Sequence, residues 1–283
     1  MKYAYYPGCS LEASAGEYEH SVRASLAAFN YEIEDLEGWT CCGASSGHSF
    51  DHTLAMALPA RVLALAEEVK RDVIVPCAAC FNRLSVARYE VLHNPDAKAD
   101  IEAVVGRPVN GSVQVLSPVT LVDRALADKG VDWQPPKPLS GLRVAAYYGC
   151  LLVRPPEATN FDHPEQPQSL QRIMRRLGAE PVKWSHGIDC CGGSTSLVTR
   201  EAVQSMVGKI VAAARASGAE ALVTACPLCQ VNLEMRQTVK PEMPCIYFSE
   251  LVGVAMQLPG TDAWLKQHLI DPRPLLRSLT LTA

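Results

Sequence analysis

Ten of the eleven cysteines in this chain of 283 residues form two sets with the same internal order. Each set has a single cysteine, then a Cys-Cys-Gly turn, then a Cys-x-x-Cys pair. The turn and the pair are 33 residues apart in both sets, and the single cysteine precedes the turn by 31 residues in one and 39 in the other. The first set is Cys9, Cys41, Cys42, Cys77 and Cys80, and the second is Cys150, Cys190, Cys191, Cys226 and Cys229. Together with similar flanking residues, this order indicates an internal duplication that carries thiol chemistry.

Five thiols per repeat favour a cluster of several metal atoms. A Cys-x-x-Cys pair brings two thiolates to one centre, and both zinc and iron–sulfur sites use it. A structural zinc ion takes only four ligands, and two neighbouring cysteines do not easily reach the same tetrahedral ion. They can reach two different irons of one cluster, and Gly43 or Gly192 would let the backbone pass close to inorganic sulfide. The residues therefore predict an iron–sulfur site in each repeat, while zinc in one repeat and disulfide chemistry without a metal stay open.

The elements around the cysteines alternate between strands and helices. We predict strands at 2–6, 31–36, 73–76, 142–148, 180–184 and 220–225, and helices at 17–29, 53–69, 168–177 and 200–216. Such alternation predicts an α/β fold with two repeated parallel-sheet half-domains related by pseudo-two-fold symmetry. Each cysteine group follows a predicted strand, so the clusters should lie at the carboxyl ends of the strands, where parallel sheets bind ligands.

Two segments are candidate linkers. The proline-rich run at 134–138 separates the repeats and divides the chain into a first half, 1–136, and a second half, 137–283. The other candidate is 94–112, which lies in the part of the first repeat that has extra residues.

The overall composition excludes some function classes. Hydrophobic residues make up 48% and charged residues 20% of the chain, and the net charge is −4 without a basic block. We therefore expect no nucleic-acid partner. The chain begins without an evident signal peptide and has no apolar run long enough to insert into a membrane, so we expect a cytoplasmic protein.

Several phrases resemble the cysteine-rich CCG-domain family, and above all the B subunit of heterodisulfide reductase: YPGCSLEASAGEYEHS, GWTCCGAS, YYGCLLVRP, FDHPEQPQSLQRIMRRLGAEPV, DCCGGS and CPLCQVNLE. The resemblance extends over nearly the whole chain, and no family cysteine is missing. It implies two non-cubane [4Fe-4S] clusters, each held by the five cysteines of one repeat. It also implies that a substrate disulfide is cleaved between the two clusters.

Four further residues carry a prediction. His48 and His186 lie near the two Cys-Cys-Gly turns and could donate protons to leaving thiolates. Arg154 could pair with an anionic substrate group. Ordinary polar or surface roles are the simpler interpretation of all three. The eleventh cysteine, Cys245, is predicted to be a small buried strand residue.

Two functions remain after this reasoning. The first is the catalytic iron–sulfur subunit of a heterodisulfide reductase-like complex, which reduces a disulfide or oxidises thiols. The second is an electron-transfer subunit of a flavoprotein dehydrogenase complex of the succinate, glycolate or lactate type, with no substrate of its own. The chain contains neither a G-x-G-x-x-G fingerprint nor a Walker loop. Electrons must therefore come from partners, for which the resemblance implies a ferredoxin-like iron–sulfur subunit (C-like) and a flavoprotein subunit (A-like).

Overall fold

A computed structural model describes residues 2–44, 47–195 and 199–282, apart from the side chain of His48. The elements of the first half are β1 Lys2–Tyr5, α1 Gly8–Ala13, α2 Gly16–Ala28, β2 Glu32–Asp35, α3 Gly47–Phe50, α4 His52–Glu68, β3 Val73–Ile74, α5 Ala78–His93, α6 Pro95–Val105, β4 Val115–Leu116 and α7 Pro118–Ala127. Those of the second half are β5 Arg143–Tyr147, α8 Pro156–Thr159, α9 Ser169–Arg176, β6 Glu180–Pro181, a 3-10 turn at Gly193–Thr195, α10 Arg200–Ala216, β7 Ala221–Thr224, α11 Pro227–Met235, β8 Cys245–Tyr247, α12 Phe248–Met256, α13 Thr261–Leu265 and α14 Arg273–Ser278.

Both halves contain a four-stranded parallel sheet with the same strand order. The order is β2-β1-β3-β4 in the first half and β6-β5-β7-β8 in the second. Tyr5 pairs with Ile74 in the first half, and Ala146 pairs with Val223 in the second. Ile74 and Val223 each lie three residues before the first cysteine of their Cys-x-x-Cys pair. The predicted fold class is therefore confirmed, and the register makes Tyr6 equivalent to Tyr147.

The two halves pack against each other reciprocally. Helix α2, which follows the first strand of its half, packs on α12, which follows the last strand of the other half. Helices α9 and α7 repeat this contact with the roles of the halves exchanged. Such an exchange is what an approximate two-fold axis between the halves produces.

The long helices before the Cys-x-x-Cys pairs each bury an apolar face. Helix α4 buries Met56, Ala60 and Leu63 among others, and Asp51 caps its first turn by accepting a hydrogen bond from Leu54 N at 2.7 Å. Its counterpart α10 buries Val207 and others without such a side-chain cap. These helices cover the sheets and hold the following strands in register.

The sequence prediction was wrong at residues 94–112, where the structure has helix α6 instead of a linker. Asn94 caps this helix by accepting from Ala97 N at 3.2 Å, Pro95 occupies its first turn, and Gly106 ends it with φ 74°. Ile101 is the only fully buried residue of the helix, so its apolar periodicity is weak. The strand expected at 180–184 is also shorter, because only Glu180–Pro181 pair with β5.

A buried ionic network fastens the C-terminal segment to the second half. His268 Nδ1 lies 2.9 Å from Glu234 Oε1, and its Nε2 lies 2.8 Å from Glu250 Oε2. All three side chains are at least 97% buried. Burial opposes protonation of His268, but the Glu250 and Glu234 carboxylates outweigh it and raise its pKa to about 10.

None of the helices in the described ranges is both long and apolar enough to cross a bilayer.

Candidate metal centres

The ten repeated cysteines lie in two groups, one in each half, where the strands of the sheets end. We call Cys9, Cys41, Cys42, Cys77 and Cys80 the first-half site, and Cys150, Cys190, Cys191, Cys226 and Cys229 the second-half site. In each site the single cysteine follows the first strand, the Cys-Cys-Gly turn follows the edge strand and the Cys-x-x-Cys pair starts a helix. Three separate loops therefore bring five thiols together, because the carboxyl ends of parallel strands share one edge of a sheet.

The two adjacent cysteines of each turn contact different partners. In the first-half site, Cys41 Sγ lies 3.9 Å from Cys9 Sγ, whereas Cys42 Sγ lies 3.2 Å from Cys80 Sγ. The second-half site repeats this division, because Cys191 Sγ lies 3.5 Å from Cys229 Sγ, whereas the neighbour that most affects the pKa of Cys190 is Cys150. The two adjacent thiols of each turn therefore lie next to different cysteines of the same site.

Each site has an open side and a closed side. Cys9, Cys41 and Cys190 are exposed and Cys150 is half-buried, while the remaining six cysteines of the two sites are buried. Backbone amides also face the turns, since Gly43 N donates to Cys41 Sγ at 3.4 Å and Gly192 N to Cys190 Sγ at 3.3 Å. A group bound at either site would lie between solvent and the sheet.

Hydrogen bonds between thiols favour a thiolate at specific positions. The hydrogen bond that Cys42 shares with Cys80 lowers the pKa of Cys42 to about 7, and Arg83 acts in the same direction. The hydrogen bond with Cys150 lowers the pKa of Cys190 to about 6, and the pKa of Cys150 is raised in return. Thiolates are the form in which cysteine binds metals.

The closed sides of the two sites meet. A hydrogen bond between Cys77 and Cys226 raises the pKa of Cys77, and hydrogen bonds with Cys229 and Cys77 lower that of Cys226. The hydroxyl of Tyr18 donates to the carbonyl oxygens of Pro76 and Ala225, at 3.3 and 3.1 Å, which directly precede these cysteines. The two sites are therefore neighbours across the interface between the halves.

The thiol sets fit an iron–sulfur cluster better than a single zinc ion. Each site offers five sulfur donors, which is one more than a tetrahedral zinc ion uses. Among the described residues, no group of three cysteine, histidine or carboxylate side chains is arranged to hold a metal ion, so the comparison rests on the number and type of the donors. Thiolates are the usual ligands of iron–sulfur clusters, and the division of adjacent cysteines suits ligands of different irons.

A Cβ atom at the glycine before the single cysteine would press against a candidate ligand. Gly8 has φ 72°, and a Cβ there would lie 3.1 Å from Cys80 Sγ. Gly149 has φ 66°, and its Cβ would lie 3.2 Å from Cys229 Sγ. The backbone thus passes next to a buried candidate ligand in both halves.

We expect Gly8→Ala to lower the iron bound by the first half, because the new methyl group displaces Cys80 Sγ. Gly106→Ala is the matched control, since Gly106 has φ 74° but open space around its Cβ position. Both variants carry a backbone strain of roughly 1 kcal/mol. Iron per chain after anaerobic purification measures the difference, and equal iron in the two variants would show that the contact with Cys80 is unimportant.

The helper residues predicted from the sequence are only partly described. His186 lies on the loop before Cys190, where its Nδ1 is 2.8 Å from Ser185 Oγ. Arg154 is paired with Glu165 at 2.8 Å, and the His48 side chain lies outside the described part of the chain. Their roles stay predictions.

Cys245 is fully buried in β8, opposite Leu222, and burial raises the pKa of its thiol. We expect Cys245→Ala to cost roughly 1 kcal/mol of unfolding free energy and to leave the bound iron unchanged. Chemical unfolding and iron analysis check both statements. Loss of iron would show that this thiol takes part in a site.

Sequence reasoning missed residues that support the turns. The hydroxyl of Tyr6 donates to Thr40 O at 2.9 Å, and that of Tyr147 to Asp189 O at 2.6 Å, so each holds the peptide before its Cys-Cys-Gly turn. Arg83, one helical turn after Cys80, was also missed. The tyrosines repeat in the sequence at a constant distance from the cysteines, and this repetition was the available signal.

Comparison with known proteins identifies relatives along the whole chain. The CCG cysteine-rich domain matches residues 3–85 and 144–234. The 8-methylmenaquinol:fumarate reductase membrane anchor subunit of Wolinella succinogenes is 32% identical over 97% of this chain and 99% of its own length. The B subunit of the Ferredoxin/F(420)H(2)-dependent CoB-CoM heterodisulfide reductase of Methanosarcina acetivorans is 26% identical over 95% and 94%.

A solved structure has the same fold. The crystal structure of a hypothetical protein from Helicobacter pylori superposes with a TM-score of 0.74 at 12% identity and covers 94% of this chain. This chain spans about half of that protein, 51% of its length. At this identity the likeness concerns the fold alone.

Proposed function

This chain belongs to the cysteine-rich CCG domain family, and on that premise we propose that it is an iron–sulfur subunit that transfers electrons within a multi-subunit oxidoreductase. Its relatives are subunits of such complexes. The finer proposal is a relay role beside a flavoprotein, without a substrate of its own. The similarity to a fumarate reductase subunit, at 32% identity over nearly the full length of both chains, supports this choice.

In this proposal the first-half and second-half sites each hold one [4Fe-4S] cluster through five cysteines. The non-cubane shape of the clusters follows from the family resemblance. Iron–sulfur clusters accept and release single electrons at potentials that the surrounding protein sets. The protein orients the thiolates through the Gly43 and Gly192 amides and through Tyr6 and Tyr147, and residues 1–136 and 137–283 act as the two cluster-binding halves.

The closeness of Cys77 and Cys226 carries the relay proposal. These candidate ligands belong to different sites, yet both are buried, and the carbonyl oxygens directly before them accept hydrogen bonds from the same Tyr18 hydroxyl at 3.3 and 3.1 Å. Tyr18, fully buried and stacked on Tyr247 with ring centroids 4.1 Å apart, holds the peptides that precede them. Two redox sites in such contact would exchange electrons within the chain. An iron–sulfur subunit and a flavoprotein would supply or remove them.

Disulfide or thiol chemistry is the second candidate, and the open sides of the sites favour it. A groove of about 730 Å³ lies between helix α5 and the loop after Cys150, and we call it the inter-half groove. It is lined by Asn82, Arg83, Val86, Leu151 and Arg154 among others. Asn82 ties its two walls together by donating to the carbonyl oxygens of Leu151 and Arg154. The groove is lined by sequence neighbours of Cys80 and Cys150 rather than by the cysteines themselves. A sulfur substrate bound there would lie near one candidate ligand of each half.

The first test is metal analysis of the chain purified without oxygen. About eight irons per chain with matching acid-labile sulfide are expected for two four-iron clusters. Zinc in place of iron after anaerobic reconstitution would overturn the proposal and leave a zinc-stabilised scaffold.

The second test separates the two candidate roles. The reduced, iron-loaded chain is mixed with small aliphatic disulfides, and the thiols released and the cluster oxidation state are followed. A relay subunit should release no thiol in the absence of its partners. Release of two thiols per disulfide, with loss of two electrons from the clusters, would instead favour disulfide chemistry.

A further inference from the structure

Two equivalent residues hold the Cys-Cys-Gly turns, and only one of them is charged. Arg83 and Asn232 each lie three residues after the second cysteine of their Cys-x-x-Cys pair. Arg83 Nη2 donates to Ala44 O at 3.4 Å, and Asn232 Nδ2 donates to Cys191 O. The same structural position thus carries a permanent positive charge in the first half and an amide in the second.

The charge of Arg83 acts in a partly desolvated place. Its Nε is buried and has no hydrogen-bond partner among the described residues. Burial lowers the pKa of Arg83, while the nearby Cys42 raises it. The other arginine of the inter-half groove, Arg154, is already paired with Glu165. The positive charge of Arg83 therefore acts on the first-half site.

A second pair of equivalent residues also makes the first-half site more positively charged than the second-half site. Thr40 and Asp189 directly precede the two Cys-Cys-Gly turns. Thr40 Oγ1 accepts a hydrogen bond from Arg61 Nη1 at 3.2 Å, which adds another cation beside the first-half site. The Asp189 carboxylate is exposed, with His186 Nε2 at 3.9 Å, and it belongs to the residue directly before Cys190. The first-half site is thus more positive than the second at both positions.

We infer that the first-half site has the higher reduction potential of the two and that Arg83 is the main residue that sets the difference. This inference rests on the proposed function, because it requires a cluster in each half. Reduction adds one negative charge, which a nearby cation stabilises and a nearby carboxylate destabilises. Arg83 outweighs Asp189 because solvent screens an exposed carboxylate more than a partly buried guanidinium.

The order of the potentials determines where the first electron resides. When a one-electron donor such as an iron–sulfur or flavin partner is oxidised, its electron reduces the first-half site before the second. No proton or covalent bond changes in this step. In the simplest arrangement, the second half therefore lies next to the electron donor and the first half next to the electron acceptor.

The test is a potentiometric titration of the iron-loaded chain followed by electron paramagnetic resonance. Cys191→Ala and Cys42→Ala, each lacking one candidate ligand, assign the signals to the halves. The first-half signal should have the higher midpoint potential. Arg83→Gln keeps an amide donor but removes the charge, and it should lower the first-half potential by at least about 59 mV. For one electron, this shift corresponds to a tenfold change in the electron distribution between the two sites.

Two further variants complete the design. Asp189→Thr copies the first-half residue and should raise the second-half potential, and it tests the inference even if Arg83→Gln binds less iron. Arg107→Gln removes a positive charge of the same half at an exposed pair with Glu68 and should shift neither potential. A lower potential for the first half in the unmodified chain, or an unshifted first-half potential in an iron-loaded Arg83→Gln chain, would overturn the inference. A chain that binds no iron at all would instead refute the proposed function.

Discussion

Replacing Cys42 with alanine should remove the iron of the first-half site and leave most of that in the second, and Cys191→Ala should do the reverse. Each change deletes a buried thiol that lies beside a cysteine of its own half, Cys80 at 3.2 Å and Cys229 at 3.5 Å respectively. Iron per chain should fall by about half in either variant, because five thiolates are proposed for each cluster. Iron and sulfide analysis after anaerobic purification measures the loss.

The control for these variants is Cys245→Ala, which deletes a buried thiol outside both sites. Cys42 and Cys191 are preferred to Cys77 and Cys226, whose mutual contact would let one change disturb both halves. If neither variant lost iron, the assignment of one cluster to each repeat would be wrong. Complete loss from a single substitution would show that the two sites cannot be loaded independently.

Replacing His268 with glutamine should lower the free energy of unfolding by about 3–5 kcal/mol, because it leaves two buried carboxylates without their cation. Glu234 also accepts from Leu269 N, and Glu250 from Tyr247 N, so both acids stay in place when the imidazole is gone. The measurement is chemical unfolding of both chains near neutral pH. His20→Gln, at an exposed position of helix α2, is the matched control and should cost little.

The effect of His268 should depend on pH with a definite sign. Its pKa is about 10 in the folded chain and about 6.5 in an unfolded one. The stabilisation from the protonated imidazole is therefore fully present below roughly pH 6.5 and is lost as the pH rises through 10. The stability gap between the unmodified chain and His268→Gln should shrink on raising the pH from neutral to above 10. A gap that stayed constant would show that the imidazole contributes as a neutral group.

Much of the fold could be predicted because the repeated cysteines mark where each strand ends. Short apolar segments before Cys9, Cys77 and Cys226 predicted strands, and the spacing between turn and pair left room for one covering helix. Helix α6 was missed because it lies on the surface and buries little besides Ile101. Apolar periodicity, the main sequence signal for a helix, is weak in such an element.

The sequence by itself determined which thiols belong together. Within one half, the order of strand, helix and strand brings all carboxyl ends to the same edge, so the five cysteines of a repeat must meet there. The repeated spacing also implied two sites with the same arrangement and, through the family resemblance, the nature of the group they would bind. The resemblance and the parallel α/β fold are confirmed, whereas the ligand roles stay predictions.

Only the tertiary structure decided how the two sites relate to each other. The packing of α2 on α12 and of α7 on α9 joins the halves, and the faces of these helices depend on contacts between residues far apart in the chain. That packing brings the two Cys-x-x-Cys pairs together, so that the Tyr18 hydroxyl donates to the carbonyl oxygens directly before Cys77 and Cys226. The contact of Arg83 with the first Cys-Cys-Gly turn likewise depends on how helix α5 is set against that loop. Local spacing cannot show such contacts, because they arise from the burial of surfaces that are separate in the sequence.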